Sequence, residues 1–174
     1  MPIVTIFGSS QAKEGETEYK EARELGRKLA EAGYTVCNGG YGGVMEASAH
    51  GAKEAGGKTI GITTEDFGGP VNRWIDQEIR MKKWNERLFK LIGTGDAYVI
   101  LNGGTGTLVE LFVVWEMLNK KFIQKPTVVL GPQLQNLVEE IRKLPQVIFN
   151  SNLFWAESPD GVLKCLKQIP LRSF

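Results

Sequence analysis

Cysteine and histidine are scarce in this chain, and their scarcity excludes two kinds of protein. The 174 residues include two cysteines, Cys37 and Cys165, and one histidine, His50. Two cysteines cannot form the disulfide framework of a small secreted domain, and these three residues cannot form a zinc site of the Cys/His type. We therefore expect reduced cysteines, a structural His50, no metal and no bound cofactor.

The chain also lacks an excess of charge and a long hydrophobic run. It carries 21 basic and 20 acidic residues, a balance that favours neither a nucleic acid polymer nor a membrane surface as partner. No apolar run approaches the ~20 residues of a membrane span, and the N-terminus lacks the basic segment of a secretory signal. These absences predict a cytoplasmic protein that recognises its ligand locally.

The chain does show a regular alternation of short apolar runs and helical patterns. Its length suits one domain, residues 1–174. Strands are predicted at 3–7, 34–37, 59–63, 97–101 and 127–130, and helices at 18–32, 44–55, 82–92, 107–120, 134–143 and 159–169. This alternation predicts an α/β fold with a doubly wound, largely parallel sheet and helices on both faces.

Glycine-rich segments follow three of the predicted strands. They contain Gly8, Ser9 and Ser10, then Gly39, Gly40 and Gly43, and then Gly103, Gly104, Thr105, Gly106 and Thr107. Ligands of parallel sheets bind beyond the carboxyl ends of the strands, where these loops would meet. We interpret the third segment as a phosphate site, because its glycines allow close approach and positive φ and the next helix offers free N–H groups. The second segment is either another ligand loop or a plain turn.

Neither common nucleotide fingerprint is present. The first strand ends in Gly8-Ser9-Ser10 rather than G-x-G-x-x-G, and the second ends in Asn38 rather than an acidic residue, which argues against an NAD site. Gly57-Lys58-Thr59 resembles the end of a P-loop, but position 52 is alanine and the segment leads into a strand instead of a helix.

The predicted helix at 107–120 has almost no polar face. Apolar residues occupy nine of its positions, namely Leu108, Val109, Leu111, Phe112, Val113, Val114, Trp115, Met117 and Leu118. A helix that is apolar all round must be buried all round, and one sheet face covers only about half of it. We therefore predict a homodimer through this helix, with coverage by neighbouring elements of the same chain as the alternative.

Several motifs together resemble the LOG (Lonely Guy) family, formerly labelled "possible lysine decarboxylase". They are Gly8-Ser9-Ser10, Tyr19, the turn from Asn38 to Met45, Glu86-Arg87 and Gly103-Gly104-Thr105-Gly106-Thr107-x-x-Glu110, and the match spans roughly residues 3–131. The resemblance implies a Rossmann-like fold, a dimer and binding of nucleoside 5′-monophosphates. Members of the family hydrolyse the N-glycosidic bond of such nucleotides, releasing the base and ribose 5-phosphate. A related branch includes molybdenum-cofactor carriers.

The chain departs from the hydrolase pattern at three positions. Asn102 replaces a proline, Val109 replaces the first of two glutamates, and Leu88 replaces the lysine of an Arg-Lys pair. The arginine and the final glutamate of the pattern are kept, which implies catalytic roles for Arg87 and Glu110. Two functions therefore stay open: a phosphoribohydrolase, or a carrier that binds a nucleotide or a molybdenum cofactor without turnover.

Each candidate residue also has a structural interpretation. Thr107 and Glu110 have the T-x-x-E spacing of a capping box, in which the glutamate only caps a helix. Arg87 has the alternative role of a surface ion pair, and Glu86 is a weaker candidate because it faces another way on the helix. We expect Ser9, Met45, the loop around Phe67 and a partner chain to form the pocket of the base, which the sequence does not identify.

Overall fold

The computed structural model describes residues 1–167, which form one parallel sheet covered by helices on both faces. The strands are β1 (Ile3–Phe7), β2 (Thr35–Asn38), β3 (Thr59–Thr64), β4 (Gln77–Met81), β5 (Ala97–Ile100), β6 (Thr127–Leu130) and β7 (Leu153–Ala156). The helices are α1 (Thr17–Glu31), α2 (Val44–Glu54), α3 (Trp84–Thr94), α4 (Thr105–Asn119), α5 (Pro132–Arg142) and α6 (Pro159–Lys167). The last two residues of the predicted final helix, 168 and 169, lie outside the described residues.

The strand order is β4-β3-β2-β1-β5-β6-β7, and every neighbouring pair is parallel. The chain moves outward from β1 to β4, crosses back through α3 to β5 on the other side of β1, and then moves outward again to β7. The direction of winding therefore reverses between β1 and β5. The predicted doubly wound α/β fold is confirmed, and its topological switch point lies between these two strands.

Both faces of the sheet are buried, so its central strands are apolar on both sides. Val4 and Ile6 of β1 pack in the cluster formed with α1, α2 and α6, whereas Phe7 packs in the cluster formed with α3, α4 and α5. The alternation follows from the period of two of a β-strand. The loops after β1 and β5 consequently emerge side by side, because Phe7 is in register with Ile100.

The two edge strands were not predicted. In β4, Ile79 and Met81 pack against the core, but the exposed charged residues Glu78 and Arg80 alternate with them, so the strand lacks the continuous apolar run that marks a central strand. The connection from β3 to β4, residues 65–76, contains no helix and includes the predicted loop at 65–74. Helix α4 begins at residue 105 rather than 107, so the threonines of the glycine-rich turn belong to its first turn.

None of the helices in residues 1–167 is long and apolar enough to cross a membrane. A cytoplasmic location stays a prediction.

Candidate functional site

A cavity of about 470 Å³ opens at the carboxyl edge of the sheet, at the switch point between β1 and β5. It is lined by Gly8, Ser9, Ser10, Gln11, Tyr41, Met45, Phe67, Gly68, Trp84, Arg87, Leu88, Gly104, Thr105, Gly106, Thr107 and Glu110. The volume falls within the range of small-molecule pockets, and the position is the one that open α/β sheets use for ligands.

Most of the predicted site residues meet in this cavity, and four do not line it. Those four are Gly39, Gly40, Gly43 and Gly103. A Cβ atom on Gly103 would collide with Thr107, and a Cβ atom on Gly43 would collide with the backbone of Ser9 and Ser10. These two glycines therefore allow the loops to pack behind the cavity wall.

The first turn of α4 faces the cavity with free backbone donors. Its N-cap is Gly104, whose carbonyl accepts the N–H of Leu108 at 3.1 Å. The N–H groups of Thr105, Gly106 and Thr107 precede that bond and have no carbonyl within the helix. A Cβ atom at Gly104 or Gly106 would meet nothing within 4 Å, so these positions border open space. The turn has the geometry of a helix N-terminal anion site.

The expected positive φ angles at Gly103, Gly104 and Gly106 are wrong. None of the three has positive φ, and Gly104 has φ of −83°. Positive φ occurs instead in the second glycine segment, at Gly40 and Gly43. In the third segment, glycine provides space for packing and for access, and it does not relieve backbone strain.

Ser9 joins three loops at the floor of the cavity. Its N–H donates to the carbonyl of Asn102 at 3.1 Å, and its own carbonyl accepts the N–H of Val44 at 2.8 Å. Its hydroxyl accepts the N–H of Gln11 at 3.0 Å. Because these bonds connect the loops after β1, β2 and β5, Ser9 fixes the relative positions of the cavity walls.

The glycine segment after β2 holds Arg87. The Nη2 atom of Arg87 donates to the carbonyl of Gly39 at 3.2 Å, and Nε donates to the carbonyl of Ile62 at 2.7 Å. A Cβ atom on Gly39 would overlap the guanidinium. The segment is more than a plain turn, because it binds Arg87. It faces the cavity only in part, because Tyr41 and Met45 are its only residues in the lining.

Arg87 is buried, so its interpretation as a surface ion-pair residue is wrong. Its side chain is only 6% exposed, and its guanidinium carbon lies 5.5 Å from the ring centre of Tyr41 and 5.4 Å from that of Phe67. Burial lowers the pKa of Arg87, while the nearby Glu110 acts in the opposite direction. Two carbonyls and two aromatic faces compensate the buried charge, which stays within reach of a ligand.

Glu110 lies in the second turn of α4, and burial raises its pKa to about 7 although Arg87 lowers it. Among the described residues, no salt bridge joins Glu110 to Arg87 or to another cation. The two charges therefore influence each other within the same cavity without forming a direct pair. A carboxyl group with a pKa near 7 exchanges protons readily at neutral pH.

The capping-box interpretation of Glu110 is wrong. Helix α4 starts at Thr105, so Thr107 lies inside the helix and cannot be its N-cap. Glu86 makes this kind of contact instead, because its carboxylate accepts the N–H of Lys83 at 3.2 Å at the start of α3. The weak candidate Glu86 thus stabilises the helix that carries Arg87.

The three departures from the hydrolase pattern occupy different environments. The side-chain oxygen of Asn102 accepts the N–H of Leu134 at 3.2 Å, so Asn102 caps α5 and does not line the cavity. Val109 is 37% exposed on α4 and also lies outside the lining. Only Leu88 borders the cavity. A single one of the three substitutions therefore changes the chemistry of the wall.

Four lining residues were not named individually as site residues: Gln11, Tyr41, Gly68 and Trp84, although Tyr41 belongs to the motif from Asn38 to Met45 and Gly68 to the loop around Phe67. A signal for Trp84 was available, because Trp84, Arg87 and Leu88 have the i, i+3, i+4 spacing that places residues on one helix face. Tyr41 carried no such signal, since its position depends on a loop that returns from β3. Its hydroxyl donates to the carbonyl of Thr64 and accepts the N–H of Thr64, both at 3.0 Å.

A second cleft of about 520 Å³ lies at the amino edge of the sheet. Two of its charged groups are already engaged with each other, since Lys53 and Asp76 form a salt bridge at 2.7 Å. The carboxylate of Asp76 also accepts the N–H of Thr59 at 2.9 Å. The glycines of this cleft, Gly56 and Gly57, follow the C-terminus of α2 and do not precede a helix N-terminus, so the cavity at the carboxyl edge is the better candidate for an anion site.

The fold and the cavity define a Rossmann-like protein with a ligand-sized site at its topological switch point. The chain belongs to the SLOG cluster4 family, whose model matches residues 1–153. The predicted relationship to the LOG family and its divergent branch is thereby confirmed.

Known proteins similar to this chain include both hydrolases and cofactor-binding proteins. An uncharacterized protein of Archaeoglobus fulgidus is 33% identical over 129 residues, which cover 73% of this chain and 82% of that protein. The cytokinin riboside 5′-monophosphate phosphoribohydrolase of Mycobacterium tuberculosis is 32% identical over 114 residues, or 64% of this chain and 61% of that enzyme. The molybdenum cofactor binding protein of Rippkaea orientalis has a TM-score of 0.76 and 29% identity, with 96% of each chain covered.

The raised pKa of Glu110 predicts a pH-dependent stability difference between the wild type and Glu110→Gln. The folded protein holds this proton up to about pH 7, whereas the unfolded chain releases it near the usual value of 4.5. Ionisation of Glu110 therefore lowers the free energy of unfolding of the wild type as the pH rises from about 4.5 to 7. The Glu110→Gln variant does not lose this free energy, because glutamine does not ionise. Between pH 5 and pH 8, we expect Glu110→Gln to gain about 1–3 kcal/mol over the wild type in urea unfolding.

The matched control is Glu116→Gln, which alters an exposed glutamate on the same helix. Comparison of the two variants separates the effect of position 110 from the general effect of losing a glutamate from α4. A Glu110→Gln difference that did not change with pH would show that the carboxylate is ionised in the folded protein at little cost.

Proposed function

We propose that the protein is a nucleoside 5′-monophosphate phosphoribohydrolase, which hydrolyses the N-glycosidic bond and releases the base and ribose 5-phosphate. The single observation that carries the proposal is the arrangement of Glu110 and Arg87. An ionisable carboxyl group and a buried guanidinium act on each other's pKa in one cavity, beside a helix N-terminus with free N–H groups. Similarity to the M. tuberculosis phosphoribohydrolase supports the same chemistry.

The first step in the proposed reaction is capture of the phosphate. The N–H groups of Thr105, Gly106 and Thr107 and the positive end of the α4 dipole bind it, and Ser9 and Ser10 border the same part of the cavity. Glu110 lies three residues after Thr107, which is about one turn of α4. A ribose attached to the bound phosphate therefore lies beside the Glu110 carboxylate. Binding the phosphate thereby positions the glycosidic bond relative to the reactive group.

The chemical step breaks the bond between C1′ and the base nitrogen and forms a bond between C1′ and a water oxygen. Positive charge develops on the ribose in the transition state, and the Glu110 carboxylate stabilises it. The same carboxylate accepts a proton from the attacking water, while the departing base nitrogen acquires a proton from solvent. Arg87 holds a ribose or phosphate oxygen by charge-assisted hydrogen bonds and keeps part of the Glu110 population ionised.

A second function, binding without turnover, is favoured by Leu88. This apolar residue borders the cavity where the hydrolase pattern has lysine. The absent lysine removes a cation from the wall, and the similarity to the R. orientalis molybdenum cofactor binding protein points the same way. In this function, the same cavity would hold a nucleotide or a phosphorylated cofactor for transfer to another protein.

The test of the proposed reaction is incubation with AMP, other nucleoside 5′-monophosphates and N6-isopentenyl-AMP, followed by chromatography of free base and ribose 5-phosphate. We expect equal amounts of both products from the wild type. Glu110→Gln should reduce the rate by at least about a hundredfold, the usual contribution of a general base. Glu116→Gln is the control for the loss of a glutamate from α4.

Two results would contradict the hydrolase. Saturable binding of AMP with no release of base would favour the carrier function. A reaction that Glu110→Gln leaves unchanged would remove Glu110 from the chemistry.

We also propose that the protein forms a homodimer through the face covered by α3, α4 and α5. Among residues 1–167, large exposed apolar side chains outside the cavity lining are concentrated on these helices and the segments that follow them: Phe89, Val109, Phe112, Phe122, Leu137, Leu144 and Ile148. None lies on α1, α2 or α6 of the opposite face. A groove of about 480 Å³ runs beside Phe112 and Ile148 on the same face. A second copy of the chain is the partner that this asymmetry favours.

A charge at the centre of this face should separate the protomers. Phe112 is 39% exposed on α4, so Phe112→Glu leaves the core of the protomer in place. We expect the wild type to be a dimer in light scattering and Phe112→Glu to be a monomer. Lys20→Glu, a charge change on exposed α1, should stay dimeric. A monomeric wild type, or a dimeric Phe112→Glu variant, would contradict this interface.

A further inference from the structure

The outer edge of β4 presents unpaired backbone groups. Strand β4 ends the sheet, and within residues 1–167 no strand lies on its other side. The carbonyl of Met81 accepts the N–H of Glu65, so Met81 directs its backbone groups toward β3. Because this direction alternates along a parallel pair, Glu78 and Arg80 direct their N–H and C=O groups outward. An edge of this kind can accept another strand.

This edge is open to solvent. Three of the five residues of β4 are exposed. The connection at 65–76 does not cover the edge, because its contacts hold it over one face of the sheet. The N–H of Asn72 donates to the carbonyl of Gly40 at 2.8 Å, and the ring of Trp74 stacks on that of His50 in α2 at 3.9 Å. A second strand can therefore approach β4 from the side.

The charges along β4 reverse in sign about its centre. Residues 76–82 read Asp-Gln-Glu-Ile-Arg-Met-Lys, so the acidic residues precede Ile79 and the basic residues follow it. When two such strands pair antiparallel about Ile79, Glu78 of each copy lies opposite Arg80 of the other. The acidic and basic residues at the two ends of the segment meet in the same way. In this register no like charges lie opposite each other.

The two adjacent registers that bring the same outward backbone groups together are less favourable. One places Glu78 opposite Glu78, and the other places Arg80 opposite Arg80. Like charges directly opposite each other destabilise a strand pair, whereas opposite charges stabilise it. The charge pattern therefore specifies the register centred on Ile79. In that register, Glu78 and Arg80 also exchange both backbone N–H···O bonds, because they form a hydrogen-bonded pair of the antiparallel type.

The existing contacts of these two side chains leave them free to bind a second copy. The Nη1 atom of Arg80 lies 3.7 Å from Oε1 of Glu78, and both side chains are partly exposed. An ion pair of this kind contributes little to stability, because both groups stay hydrated. The same Oε1 accepts the hydroxyl of Thr63, which leaves Oε2 of Glu78 available for another cation.

We infer that the outer edge of β4 is an interface that pairs with the same edge of a second copy of the chain. A twofold axis relates the two copies, and their sheets become one continuous sheet. The net charge of +1 adds little repulsion between the copies. Because the contact is small, the association is weak, with a dissociation constant of about 0.1–1 mM. This interface is separate from the proposed one through α3, α4 and α5, and it requires no ligand.

The test is sedimentation equilibrium of Phe112→Glu, which removes the proposed interface through α4, from about 10 µM to about 1 mM at low salt. We expect the average mass to rise from one protomer toward two. At about 10 µM the β4 pair is dissociated, so light scattering there reports only the interface through α4. Adding Glu78→Arg or Arg80→Glu should lower the association constant at least about tenfold, because like charges then meet. Adding both should restore it to within about threefold, because opposite charges meet again.

The matched control is Glu157→Arg, which makes the same charge change on an exposed residue after β7, at the opposite edge of the sheet. Thermal unfolding monitors the folding of each variant, and the same charge changes in the wild type provide the test if Phe112→Glu does not fold. A mass that stays constant up to about 1 mM would overturn the interface. Association that neither single charge reversal weakens would also overturn it. Association that the double exchange does not restore would overturn the register.

Discussion

The architecture of the site depends on one buried charge, the guanidinium of Arg87. A cation removed from water must be compensated, and here the carbonyls of Gly39 and Ile62 accept its N–H groups while Tyr41 and Phe67 lie against it. These contacts explain why position 39 has no side chain, and the Tyr41 hydroxyl is held in addition by the backbone of Thr64 in β3. The guanidinium thereby connects the loops after β2 and β3. Together with the loop after β1 and the start of α4, they enclose the cavity.

Glu110 is the counterpart of this cation, although the two are not joined in a salt bridge. The helix that supplies its free N–H groups to the cavity also places the carboxyl group where burial raises its pKa. A direct ion pair would lower that pKa and leave no separation for a ligand or a water molecule. The burial of the Glu110 carboxyl group lowers folding stability at neutral pH and provides a group that exchanges protons at that pH. Functional sites often combine these two properties.

The sequence predicted the fold well because its central strands and amphipathic helices carry strong periodic signals. It missed β4, since a charged edge strand has no such pattern, and it missed β7 at the other edge. The cavity was predicted from glycine loops at strand ends, yet the role of each glycine depends on long-range packing. Gly39 is explained by Arg87, which lies 48 positions later in the chain. Likewise, Asn102 looked like a change at the active site, but its side chain caps α5. Such roles depend on which segments meet in space, and no local pattern reports that.

The measurement that tests this account most directly is a crystal structure of Glu110→Gln with AMP, because the substitution keeps the shape of the side chain and, in the proposed reaction, slows turnover. The account predicts the phosphate on the N–H groups of Thr105, Gly106 and Thr107 and the ribose beside residue 110. A phosphate bound in the cleft at the amino edge, beside Lys53 and Lys58, would contradict the central claim that the start of α4 is the phosphate site.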